Sequence, residues 1–196
     1  MKKLFSKPLA TDFYRRNTIG VAHELLGKML LVQSDAGFRA GRIVETEAYR
    51  GDDPASHSCR GKTPRNLPMF GEPGFAYVYF IYGMYEMLNF VTEPKGFPGA
   101  VLIRAVEPLS GVSLSTNGPG KLCRAMGIQM LHNGQSLQGP SLVVSDDGFR
   151  PRRVLKSPRV GIRVGLENLW RFFIQDHPQV SRVPQNRVAV AVRDSA

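Results

Sequence analysis

Cysteine is nearly absent from this chain: of 196 residues only Cys59 and Cys123 carry a thiol. Two cysteines cannot build a disulfide scaffold or a Cys-rich zinc site. His57 and Cys59 are close in sequence but lack a second pair of ligands at zinc spacing, so neither a metal nor a cofactor is expected. Long apolar runs are missing too, and none approaches the roughly 20 residues of a membrane-spanning helix. The start, Met1-Lys2-Lys3-Leu4-Phe5, has the charge of a signal peptide, but Lys7 and Pro8 interrupt it before an apolar segment develops. The expectation is a soluble intracellular protein without membrane association, cytoplasmic or at the nucleoid if the source is bacterial.

Acidic residues are scarce. Against 26 lysines and arginines stand 16 aspartates and glutamates, a formal net charge of +10. That balance favours a polyanionic partner, nucleic acid first; a basic chain whose charge serves only solubility is the plain alternative. With 42% hydrophobic residues the chain can bury one core, and a single domain over residues 1–196 is expected.

Residues 9–31 read as a helical region, with Thr11 and Asp12 as N-cap candidates, an apolar stripe at Ala22, Leu25 and Leu26, and Gly27 as its stop. Strand character follows at 29–33 and 39–49. In the second, strict alternation puts Ile43, Glu45, Glu47 and Tyr49 on one face. A face with two carboxylates and a phenol is unlike a plain core face. Residues 50–75 are rich in Gly and Pro, and a loop this long in a compact domain is more often functional than not. Strands are expected at 76–81 and 86–91, joined through Tyr82-Gly83-Met84-Tyr85 as a hairpin with Gly83 supplying positive φ. A strand at 100–106 and a helix at 121–126 closed by Gly127 come next. Residues 129–158 read as polar loops with a strand near 142–144, and 160–164, 172–174 and 188–192 read as closing strands. Strands with helices to one side make the fold class α+β.

Gly118-Pro119-Gly120-Lys121 superficially suggests a phosphate loop. Ser115 and Leu122 stand where that motif needs Gly and Ser/Thr, so it reads as a helix entry. Seven aromatic residues crowd positions 75–90. They suit a β-core, yet large apolar residues at a hairpin tip also suit wedges that enter a nucleic-acid duplex, and composition leaves both readings open. Glu47 could be a salt-bridge partner of Arg104, or the two could hold and polarise a water molecule. Spacing does not decide between them. A non-catalytic binding module with an aromatic stacking platform is one alternative function. A nuclease using Asp52 and Asp53 beside Glu47 as metal ligands is another.

The motifs in order resemble the alkyladenine (3-methyladenine) DNA glycosylase family. They are Arg42-Ile43-Val44-Glu45-Thr46-Glu47-Ala48-Tyr49, His57-Ser58, Thr63-Pro64-Arg65-Asn66, Tyr77-Val78-Tyr79, Ile81-Tyr82-Gly83-Met84-Tyr85, Leu102, Arg104-Ala105, Glu107-Pro108-Leu109 and Gly118-Pro119 with Lys121-Leu122-Cys123. The match is strongest over about residues 8–128, with Arg159-Val160-Gly161 and Arg171-Phe172-Phe173 as later anchors. Between Ser58 and Thr63 the chain departs from the family's pattern.

This resemblance implies a curved antiparallel sheet with flanking helices and a protruding hairpin that enters the DNA minor groove. It implies a monofunctional enzyme, a monomer acting on double-stranded DNA with damaged purines. Glu47 corresponds to the general base, and Arg104 and the backbone carbonyl of Val160 to the groups that position its water. Tyr49, His57 and Tyr79 resemble the walls of the base pocket. Asn89 resembles the residue that crowds the exocyclic amine of normal guanine, with Leu102 on the same wall. Tyr82 resembles the residue that fills the vacated space in the duplex, helped by Met84 and Tyr85.

Overall fold

The computed structural model describes residues 7–34, 37–81 and 83–192. Its frame is one antiparallel sheet built on a single long strand. The elements are α1 (Thr11–Tyr14), α2 (Thr18–Glu24), β1 (Met29–Ser34), β2 (Gly37–Arg50), β3 (Ala76–Ile81), β4 (Tyr85–Val91), β5 (Gly99–Ser110), α3 (Pro119–Met126), β6 (Leu142–Ser145), β7 (Val154–Ser157), β8 (Arg171–Ile174) and β9 (Val190–Ala191). The order across the sheet is β3-β4-β5-β2-β8-β7-β9, with β1 pairing β2 and β6. One edge of β2 runs along β5, whereas the other is divided: Gly37–Arg42 pairs β1, and Glu45–Glu47 pairs β8. The sheet therefore forks at β2, and the fold is α+β, as expected.

Alternation along the strands separates two faces. Val78, Leu88, Phe90, Val101 and Ile103 join Val21 and Ala22 of α2 and Leu122, Cys123 and Met126 of α3 in the main core. Burying such side chains stabilises the fold by roughly 1.5–3 kcal/mol each. Thr46 ties the same face of β2 to α2, its hydroxyl donating to the Ala22 carbonyl at 2.8 Å. The opposite face carries Tyr77, Tyr79, Asn89, Leu102 and Arg104.

The expected face of β2 is corrected at one residue. Ile43 lies in the main core, whereas Glu45, Glu47 and Tyr49 share the other face. Two compensating irregularities cause this. Ile43 pairs Val106 and Glu45 pairs Ala105, leaving Val44 as the extra residue; then Thr46 pairs Ile103, leaving Arg104 extra on β5. Such bulges locally re-aim side chains, and this pair brings Arg104 between the two carboxylates.

The helical region at 9–31 is two short helices. Asn17 rather than Thr11 or Asp12 provides the side-chain cap, its Oδ1 accepting from the amides of Ile19 and Gly20. The strand expected at 160–164 is absent; those residues are bends and coil, with Gly161 and Gly165 at φ +79° and +66°. Within 129–158, Val154–Ser157 forms a strand that was expected to be loop, because its partners, β8 and β9, are distant in sequence. Within the strand expected at 188–192, Val190–Ala191 is strand, preceded by a 3-10 turn at Pro184–Val188. α3 begins on Pro119 and stops at Gly127, whose φ of +71° lets the Ile128 amide close on the Cys123 carbonyl at 2.8 Å. No described helix is long and apolar enough to cross a membrane.

Candidate active site

A transverse row of paired residues sets the site. Tyr77 pairs Asn89, Asn89 pairs Leu102, Leu102 pairs Glu47, and Glu47 pairs Arg171. Residues in register across antiparallel strands project to the same face, so this row carries chemistry across β3, β4, β5, β2 and β8. Above it lies a cavity of about 290 Å³. Its lining includes every pocket residue expected from the sequence: Tyr49, His57, Tyr79, Asn89 and Leu102, together with Arg104 and Val160.

Glu47 is fully buried, and its three hydrogen-bond partners all line that cavity. The Val160 amide donates to Oε1 at 2.7 Å. The Tyr49 hydroxyl donates to Oε2 at 2.9 Å, and Arg104 Nη1 reaches the same oxygen at 3.3 Å. Val160 thus touches Glu47 through its N–H, whereas the resemblance had suggested a role for its carbonyl. Burial and the neighbouring Glu47 charge push the Tyr49 phenol well above its ordinary pKa, so it stays a proton donor to the carboxylate. Burial alone would lower the pKa of Arg104, but Glu47 and Glu45 outweigh it and hold the guanidinium charged.

Glu45, also fully buried, is held differently. Arg171 Nε donates to Oε1 at 2.7 Å, Arg104 Nε to the same oxygen at 3.0 Å, and the Ser181 amide to Oε2 at 2.7 Å. Burial opposes ionisation, yet the two arginines and the amide hold its carboxyl below the usual range.

The aromatic walls touch one another, His57 edge-on to Tyr79 and Tyr77 tilted against it at 37°. The His57 and Tyr79 rings lie 4.7 Å apart at 71°, and Tyr77 and Tyr79 lie 5.2 Å apart. Partial burial, then the Arg65 charge, lowers the His57 pKa and favours the neutral imidazole. Its Nδ1 is 3.3 Å from the Tyr77 hydroxyl. Asn89 donates its amide to the carbonyls of Tyr77 and Met87, which fixes its orientation. Tyr77 is a wall residue that the sequence placed in the aromatic crowd and in a family motif, without a pocket role. Met69, Met87 and Ile162, which also line the cavity, carried no sequence signal, because apolar residues on strands and loops look alike.

At the hairpin tip Gly83 takes φ +68°. Met84 is 64% exposed and Tyr85 45%. Tyr82 lies outside the described residues.

The acidic residues weighed as metal ligands are otherwise engaged. Asp53 is paired with Arg159 in a buried contact and Asp52 with Arg50 at 3.1 Å. Among the described residues, no cluster of three or more His, Cys, Asp or Glu is arranged to hold a metal ion.

Comparison with known proteins now decides the family. The family of methylpurine-DNA glycosylases (MPG) matches residues 12–178. The chain belongs to this family. Several similar proteins share the name "Putative 3-methyladenine DNA glycosylase". One from Anaeromyxobacter dehalogenans strain 2CP-1 is 50% identical over 187 residues, covering 92% of this chain and 89% of its own. One from Methanocella arvoryzae is 45% identical over 191 residues, covering 89% and 96%. One from Sodalis glossinidius is 49% identical over 166 residues, covering 84% and 95%. As a member of the methylpurine-DNA glycosylase family, the chain is a DNA-repair glycosylase, a hydrolase of N-glycosyl bonds with DNA as substrate.

Proposed function

We propose that the enzyme flips an alkylated or deaminated purine out of duplex DNA into the aromatic cavity and hydrolyses its N-glycosidic bond with water activated by Glu47. The observation that carries this reading is a buried carboxylate whose three donors line the cavity. An ionised carboxylate offers about four lone-pair sites. Tyr49, Arg104 and Val160 fill three, which leaves one acceptor position to take the attacking water.

A base inside a duplex is out of reach, so extrusion comes first, at a cost of a few kcal/mol that is smallest for damaged or mispaired nucleotides. The exposed Met84 and Tyr85 at the hairpin tip support a wedge that enters the minor groove and occupies the gap. In the cavity, Tyr49, His57 and Tyr79 stack on the extruded base. Electron-rich rings favour a cationic purine such as 3-methyladenine or 7-methylguanine by about 0.5–2 kcal/mol. The oriented Asn89 amide, beside Leu102, crowds the exocyclic amine of normal guanine.

As the C1′–N bond breaks, its electron pair leaves with the purine, and positive charge develops on the deoxyribose. Glu47 stabilises that charge and takes a proton as the water oxygen bonds to C1′. A cationic purine leaves as a neutral base, so no second carboxylic acid is needed, unlike in most glycosidases of sugar chains. Among the described residues no lysine lines the cavity. This supports water as the nucleophile and an abasic site as the product, with no Schiff base.

The test is base release from duplexes carrying single 3-methyladenine, 7-methylguanine, ethenoadenine or hypoxanthine, with Glu47→Gln as control. Release of at least the cationic purines by the wild type, and their retention by the variant, is expected. Equal release by the two proteins contradicts the reading.

A further inference from the structure

The buried pair of Arg159 and Asp53 belongs to neither the core nor the cavity wall. Both side chains are excluded from solvent. The guanidinium grips the Asp53 carboxylate through both terminal nitrogens, and Nη1 also donates to the Ala48 carbonyl of β2 at 2.9 Å. Its Cζ lies over the Tyr49 ring, 4.7 Å from the centroid, and 5.1 Å from the centroid of Trp170. Asp53 Oδ1 in turn accepts from the Ala55 amide at 3.1 Å.

These contacts join three separate walls of the site. Asp53 and Ala55 lie in the loop that delivers His57. Ala48 and Tyr49 belong to the strand that delivers Glu47. Arg159 immediately precedes Val160, whose amide bonds Glu47. A single planar side chain therefore fixes the Tyr49 ring, the 53–57 loop and the 159–162 segment relative to one another, without itself lining the cavity. The loop closes tightly around it: a Cβ on Gly165 would approach both Arg159 Nη2 and Asp53 Oδ1 at 3.2 Å, and Gly165 has a φ of +66°.

We propose that Arg159 and Asp53 form a positioning pair that holds the Tyr49 hydroxyl and the Val160 amide on Glu47, so that the rate of base release depends on it while DNA binding does not. The inference rests on the reading of Glu47 as the base. A bidentate, stacked guanidinium is not replaceable by an ammonium, and misplacement of reacting groups by about 1 Å costs on the order of 100-fold in rate.

The test uses Arg159→Lys, Asp53→Asn and the double variant Arg159→Met/Asp53→Leu, since replacing a buried ion pair by apolar side chains often preserves stability. Single-turnover base release at saturating enzyme, affinity for an undamaged duplex, and acrylamide quenching of Trp170 are measured for each. Trp170 is the chain's only tryptophan, so its emission reports directly on loosening around Arg159. The folded variants are expected to release base about 100-fold more slowly, with duplex affinity within twofold and Trp170 more quenchable. Wild-type release by any folded variant overturns the proposal. Failure of all three to fold also overturns it, by making the pair a purely structural element. If Glu47→Gln releases base normally, the reading of Glu47 fails; if Glu47→Gln is inactive and the pair variants are not, only the positioning role fails.

Discussion

Glu45 and Glu47 stand two residues apart on one strand, both fully buried and both bonded to Arg104, yet their surroundings differ. Glu45 faces two guanidinium groups and a backbone amide, all within the protein, and nothing around it borders the cavity except the shared Arg104. Glu47 faces one guanidinium, a phenol and a backbone amide, all supplied by residues that line the cavity. The first arrangement is an anchor that joins β2, β5 and β8 to the 181 turn. The second is the group that the proposed reading makes reactive, held by three donors with acceptor capacity left over. A buried carboxylate is therefore informative through what its partners border rather than through its burial.

Arg104 is where the two roles meet, and removing it gives the largest combined effect. Arg104→Met leaves both carboxylates short of a partner. A destabilisation of about 3–5 kcal/mol in denaturant unfolding is expected, together with a loss of base release beyond what the unfolded fraction explains. Glu45→Gln separates the roles. It strands Arg171 and Arg104 as under-compensated buried charges and costs a similar or slightly smaller amount of stability, about 3 kcal/mol. The fraction that remains folded at low temperature should still release base, so loss of activity in fully folded Glu45→Gln would merge the two carboxylates into one functional unit.

Acid sharpens the same contrast. Because the folded-state pKa of Glu45 is depressed, its contribution to stability is complete above the unfolded value of about 4.3 and is lost as pH falls through the lower folded value. Asp147, held down chiefly by its hydrogen bonds to Arg42, acts in the same direction. The melting temperature should fall modestly below about pH 6.5, where the lowered pKa values of His57 and His177 make protonation favour the unfolded chain, and more steeply below about pH 4.3, and Glu45→Gln should flatten only the steeper, acidic part of that fall. The smallest effect belongs to the hairpin. Met84→Ser should change stability by less than about 0.5 kcal/mol, while weakening capture of a flipped base several-fold, read from the fluorescence of a lesion in the duplex.

Much of this was legible in the chain because strand alternation and turn residues act locally. The β3–β4 hairpin, β5 and α3 with its Gly127 stop follow from such patterns. What escaped depends on partners far away in sequence. Ile43 left its expected face because of a bulge that only pairing with β5 reveals. Val160, Ile162 and Val164 alternate like a strand, but the left-handed Gly161 and Gly165 bend the segment back onto Glu47. Val154–Ser157 is polar enough to read as loop and becomes a strand only beside β8. At the site, Glu47, Arg104 and the aromatic walls were visible through the family motifs. Arg159 was visible only as part of an anchor motif, because its importance lies in a pairing with Asp53 across 106 positions.

On the proposed reading Glu47 performs the chemistry and Glu45 does not. The most direct measurement is single-turnover base release from a duplex with one 7-methylguanine, comparing wild type, Glu47→Gln and folded Glu45→Gln, with duplex affinity measured on the same samples. Glu47→Gln should bind normally and lose roughly 10²–10⁴-fold in rate, while Glu45→Gln should stay within about tenfold of wild type. Release by Glu47→Gln near the wild-type rate would contradict that reading.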